Sequence, residues 1–113
     1  MRIRTLLISV ISLGACVAES ATAEELPGKK IFEQRCAECH AAGFGHPGTQ
    51  RLGWSRGEKY AELAKRTDLS ADYIKLIVRR GLSEMPPFRP TEISDAELTQ
   101  LSAYLTKKPV SAR

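Results

Sequence analysis

Cys36-Ala37-Glu38-Cys39-His40 is the stretch that decides how this chain folds. Two cysteines three positions apart, with histidine directly after, form a C-x-x-C-H sequence, the pattern of c-type haem attachment. The reason is geometric. On one helical turn, positions i and i+3 point the same way. Two thiols placed there reach the vinyl groups on neighbouring pyrroles of one haem. His40 then brings its imidazole to the iron from the same side. Two other readings of a Cys-x-x-Cys pair compete. A thioredoxin-like redox pair needs a βαβ context, and no strand pattern occurs along this sequence. A zinc site needs a second pair of Cys or His ligands, and the chain lacks one.

The opposite face of such a haem has few candidate ligands. Beyond the first residues, Met85 is the sole methionine. It lies in Glu84-Met85-Pro86-Pro87-Phe88, where prolines stiffen the backbone and hold a thioether in place at small entropic cost. Simple core packing is the other reading of Met85. His46 is its rival as ligand, but it follows His40 by only six positions and reads as a surface histidine. With His40 and Met85 both bound, the iron is closed to substrate and to oxygen. A thioether also favours Fe(II) and raises the potential. The expectation is a carrier of single electrons. A haem enzyme or gas sensor with an open sixth position is the alternative.

The flanking sequence reads as all-α, about four short helices joined by loops. Helix one runs from Gly28 to His40, with Pro27 suited to its first turn. Phe32, Cys36 and Cys39 share one of its faces. Gly43 to Gly53 is rich in Gly, Pro and Thr and reads as a loop. Gly57 to Thr67 reads as helix two, with Tyr60, Leu63 and Ala64 on one side. Ser70 caps helix three, whose stripe is Ile74, Ile77 and Val78, and Gly81 closes it. Leu82 to Thr91 is an extended loop. Ser94-Asp95-Ala96-Glu97 is a capping box that opens helix four, with Leu98, Leu101 and Leu105 inward and Pro109 at its end.

Residues 1–23 read as an export leader: Arg2 and Arg4, then a largely apolar Leu6 to Ala18, then Ala21-Thr22-Ala23 as a cleavage site. Residues 24–113 form the single domain. Leu13-Gly14-Ala15-Cys16 offers a second reading, a lipobox that would anchor the protein to a membrane through Cys16. The leader accounts for Arg2, Arg4 and Glu19, so its removal takes the net charge from +4 to +3. That balance, with both signs interspersed, excludes a nucleic-acid binder. It also leaves two cysteines, Cys36 and Cys39. The composition, 42% hydrophobic and 27% charged, is that of a small folded domain.

Over about residues 27 to 108 the chain resembles class I cytochromes c. The resemblance rests on Gly28, Phe32, the C-x-x-C-H stretch, Met85-Pro86, and Leu101 to Leu105 with Tyr104. It implies a small class I cytochrome c fold around one covalent haem c, and the leader places the protein in the periplasm. It implies that Gly28 lets the first and last helices approach near Tyr104. It also implies a proline whose carbonyl accepts the ring N–H of His40, and Pro47 matches that position. Arg51 and Trp54 follow this loop and suit the haem propionates as donors; a solvated Arg51 and a core Trp54 are the other reading.

Tyr73 to Gly81, Met85-Pro86-Pro87-Phe88 and Leu98-Thr99-Gln100 look like the cytochrome subunits of flavocytochromes of the p-cresol methylhydroxylase type. That resemblance implies an FAD-containing dehydrogenase of the vanillyl-alcohol-oxidase type as electron donor, with a downstream cytochrome or oxidase as acceptor. The carrier would be free or a permanent subunit. Arg79 and Arg80 read as a solvated helix end, or else as part of a docking surface.

Overall fold

A computed structural model describes residues 26–107. The leader, the Cys16 lipobox and Pro109 lie outside them. Helix α1 (Pro27–Arg35) begins with proline at its first turn and buries Gly28, Ile31 and Phe32 on one side. A single turn, α2 (Ala37–His40), follows at once. Next come α3 (Pro47–Arg56) and two 3-10 turns at Glu58–Tyr60 and Leu63–Lys65. Helices α4 (Ala71–Arg80) and α5 (Asp95–Thr106) complete the described fold. The all-α expectation holds, and no strand is present among the described residues.

The most extensive packing joins α1 to α5, with α4 against α5 behind it. Ile31, Phe32, Ile74, Val78, Ile93, Leu98, Leu101 and Leu105 form one core cluster. Leu101 is fully buried and Ile93 is 1% exposed. The α1–α5 crossing depends on Gly28. A Cβ there would collide with the Gln100 carbonyl oxygen and come within 2.7 Å of Tyr104 Cβ. Phe32 meets the Tyr104 ring across the same crossing, centroids 5.8 Å apart.

Both late helices have the caps their sequences announce. Ser70 accepts from the Tyr73 N–H, which satisfies one of the free donors at the start of α4. At α5, Ser94 accepts from the Glu97 N–H while the Glu97 carboxylate accepts from the Ser94 N–H. That hydrogen bonding holds the Glu97 carboxyl below its usual range.

Three boundaries differ from expectation. Helix one does not run unbroken to His40, because Cys36 departs from helical geometry (φ −120°). The Gly43–Gly53 segment is not all loop, since α3 starts at Pro47. Proline suits a first turn, and both internal glycines of α3 stand where a side chain would meet a neighbour. Gly57 to Thr67 is not a helix. Gly57 at φ 101° ends α3, and Glu62 is extended (φ −88°, ψ 108°), so only two short turns form.

Candidate haem site

The attachment turn is pinned by its own backbone. The Cys36 N–H donates to Phe32 at 2.9 Å, and the Cys39 and His40 N–H groups both donate to the Cys36 carbonyl. Cys36 is half-buried and Cys39 exposed, and neither is in a disulfide. Cys36 keeps the expected common face with Phe32, packing on the cluster that holds it, whereas Cys39 beyond the break at Cys36 is exposed. Burial, and secondarily the charge of Cys39, pushes the Cys36 thiol up to about 11. His40 is half-buried, and burial lowers its pKa and so favours the neutral imidazole that a metal needs.

Helix α3 backs this turn. Gly48 lies against the His40 ring, where a Cβ would come within 2.6 Å of Cε1 and 2.7 Å of the Cys39 carbonyl oxygen. The Thr49 hydroxyl donates to the Ala41 carbonyl at 2.8 Å. His46 Nδ1 donates to the Glu38 carbonyl at 2.9 Å, so this ring is tied to the attachment turn. The expected Pro47 contact is not made. Nδ1 of His40 is buried without a hydrogen-bond partner, and Pro47 instead opens α3. Nothing in the sequence marked Gly48 or Thr49 as supports for His40, because their role depends on a helix that the glycines concealed.

The Met85 loop is held at both ends. Leu82 and Met85 exchange N–H···O bonds at 3.1 and 3.0 Å, and Ser83 takes a left-handed conformation (φ 54°) between them. Gly81 (φ 72°) lets this turn fold back, since a Cβ there would crowd the Met85 oxygen at 2.5 Å. Further on, the Phe88 N–H donates to the Val78 carbonyl at 2.8 Å. Arg79 completes the anchorage: its guanidinium donates to the Phe88 carbonyl at 3.1 Å and to Asp95 at 2.7 Å. Arg79 is therefore not a freely solvated helix end. It clamps the loop to the start of α5.

Met85 and Cys36, half-buried, pack against the same core cluster, together with Leu63, Leu69 and Phe88. The fold thus brings together the two segments that the sequence separates. Arg51 is exposed. Trp54 is 77% exposed, which overturns its reading as a core residue. At about 100° per residue, Arg51 and Leu52 share the side of α3 that Gly48 turns to His40, whereas Trp54 lies roughly 120° away.

The residues fit a haem. Two free thiols and a half-buried imidazole occupy one turn, Gly48 lets that imidazole lie close against α3, and a thioether packs on the core cluster that Cys36 also meets. Among the described residues, no group of three or more His, Cys, Asp or Glu side chains could hold a metal ion by itself.

Comparison with known proteins agrees. The family described as cytochrome c oxidase, cbb3-type, subunit III, matches residues 23–105. The chain is 29% identical over 85 residues to the cytochrome c subunit of 4-cresol dehydrogenase (hydroxylating) from Pseudomonas putida. That stretch covers 75% of this chain and 63% of the relative, so the chain spans less than two thirds of that relative's length. It is 33% identical over 87 residues to cytochrome c6 of Anabaena variabilis, covering 76% of this chain and 93% of the relative. A crystal structure of p-cresol methylhydroxylase with substrate bound contains a chain that aligns with TM-score 0.51 and 32% identity. That alignment covers 73% of this chain and 92% of the other. The protein belongs to the cbb3-type subunit III family of cytochrome c domains.

Proposed function

We propose that this chain is a periplasmic carrier of single electrons on one haem c, bonded through Cys36 and Cys39 and ligated by His40 and Met85. The observation that carries the reading is the shared packing of Cys36 and Met85 on one core cluster. When bound, the haem supplies a one-electron iron couple. The chain's residues hold that couple rigid. Gly48 of α3 lies against the His40 ring, and the doubly anchored loop presents the Met85 thioether without a large ordering cost. With the haem bound, a soft thioether from Met85 together with His40 would favour the reduced iron. Arg51, on the Gly48 side of α3, is the donor proposed for a propionate, and Pro47 contributes by starting that helix.

The electron donor proposed is an FAD-containing dehydrogenase, with a downstream cytochrome or oxidase as acceptor. Similarity to the cytochrome c subunit of 4-cresol dehydrogenase supports this donor. It also favours a second reading, in which the chain is a permanent subunit of such a dehydrogenase. Export follows from the residues 1–23 leader, with a lipid anchor at Cys16 as the variant arrangement.

Intact mass under denaturing conditions tests attachment, and one retained haem is expected. Met85→Ala should abolish the Met-ligated spectrum and lower the potential. An unchanged spectrum, or rapid carbon monoxide binding by the reduced native protein, would overturn the closed site. Pull-down from the native host with identification of a co-purifying flavoprotein separates the subunit from the free carrier.

A further inference from the structure

Helix α3 has a second side, turned away from the Gly48 contact with His40. Gln50 and Trp54, one turn apart, face away from His40 and line a cleft of about 280 Å³. Phe44 closes it from the loop after the attachment turn, and Glu58, Ala61 and Glu62 close it from the 3-10 turns. Phe44 is 97% exposed and Trp54 77% exposed, so two large aromatic faces stand without cover. Exposed aromatic pairs of this kind are costly to leave wet and are enriched where partners bind.

Beside the neutral Thr49 and Gln50, the charged lining has one sign. Glu58 and Glu62 are carboxylates, and no Lys or Arg is among the lining residues. Glu62 pairs with Lys65 at 2.8 Å, outside the cleft lining, which leaves the Glu58 charge facing it. Aromatic faces attract cations through their quadrupole, and neighbouring carboxylates add to that attraction. The guanidinium group satisfies both at once, since it stacks on indole and forks onto carboxylate oxygens.

We infer that this cleft is a docking point for an arginine side chain presented by a partner protein. Charge complementarity names the occupant: an acidic, aromatic cleft on a chain of net charge +4 selects a local cation against the overall repulsion.

Trp54 is the chain's sole tryptophan, so its indole N–H is a single resolved reporter. The test is a titration of the reduced, isotopically labelled holoprotein with acetyl-Gly-Arg-Gly-amide, followed by nuclear magnetic resonance. The citrulline analogue, neutral and of the same shape, is run in parallel. The expected result is a saturable shift of the indole signal by the arginine peptide alone, weakened by added salt. Trp54→Ala, followed through the Glu58 and Ala61 amides, should weaken binding about two- to fivefold. Glu58→Gln should weaken it by a similar factor. Equal shifts with citrulline, or no saturable shift, would overturn the inference. So would an indole shift that depends on protein concentration alone, which would identify a second copy of the chain as the occupant. The readout does not involve electron transfer, so its failure leaves the haem assignment untouched.

Discussion

Gly48 and His40 are in direct contact, with the imidazole edge lying where any other residue of α3 would place its Cβ. The contact sets two effects against each other in Gly48→Ala. Alanine gains about 0.5–1 kcal/mol over glycine inside a helix. The new methyl, however, meets both the His40 ring and the Cys39 backbone oxygen, and overpacking costs about 1–3 kcal/mol. Backbone cannot swing aside, so the second effect wins. Net destabilisation of about 1–2 kcal/mol is expected, with a reduced yield of haem-loaded protein. Thermal melting and the haem-to-protein absorbance ratio measure the two. A variant as stable and as fully loaded as the parent would rule out the support role of Gly48.

Gly28→Ala tests the α1–α5 crossing. Its Cβ would meet the Gln100 backbone and Tyr104 Cβ. The helices must move apart, so a loss of about 1–3 kcal/mol is expected. For a domain of this size that lowers the melting temperature by roughly 4–8 °C per kcal/mol. Restoration by a simultaneous Tyr104 truncation is not expected, because the Gln100 backbone remains in the way. Recovery of full stability in that double variant would contradict the geometry.

Arg79 should matter beyond its charge. Arg79→Met leaves the Phe88 carbonyl without its side-chain donor and frees one end of the Met85 loop. A loss of about 1–2 kcal/mol is expected. Asp95→Asn, which weakens only the exposed partner of that clamp, should cost about 0–1 kcal/mol. Urea midpoints of the two variants give the comparison. Equal losses would show that the Phe88 contact contributes nothing.

Acid should reveal Asp68. Its carboxylate accepts two N–H bonds from Arg66, at 2.8 and 2.6 Å, which lowers its pKa to about 2. The unfolded value is near 3.9. A depressed folded pKa means stabilisation that is complete above the unfolded value and lost as pH falls towards the folded one. The melting-temperature gap between the parent and Asp68→Asn should therefore be constant above about pH 5 and close towards about pH 2. A gap that stays constant over this range would show that the pair does not shift with folding.

How much of this was legible depended on whether a residue acts locally. Ser70, Gly81 and the Ser94–Glu97 box act within one turn of themselves, and the structure places each as read. Cys36, Cys39 and His40 likewise lie on one turn, as their spacing implies, and their proposed chemistry rests on that spacing. Helix α3 was hidden because Gly48 and Gly53 are weak helix formers by themselves. They are glycines because of what stands opposite: His40 for Gly48, and Glu58 and Ala61 for Gly53. The reverse error came at 57–67, where an apolar pattern suggested a helix that the left-handed Gly57 and extended Glu62 do not allow. Arg79 was misread for the same reason as Gly48, since its partners Phe88 and Asp95 lie 9 and 16 positions on.

The pairing of α1 with α5 has a consequence in time as well as in space. The first element of the domain takes its main partner from the last, so their contact closes a loop that spans nearly the whole chain. Loop closure of that kind is slow compared with forming a single turn. During folding the C-x-x-C-H turn and its neighbour α3 can therefore form before α1 gains its main partner. The docking of α5 on α1 then serves as the step that completes the core.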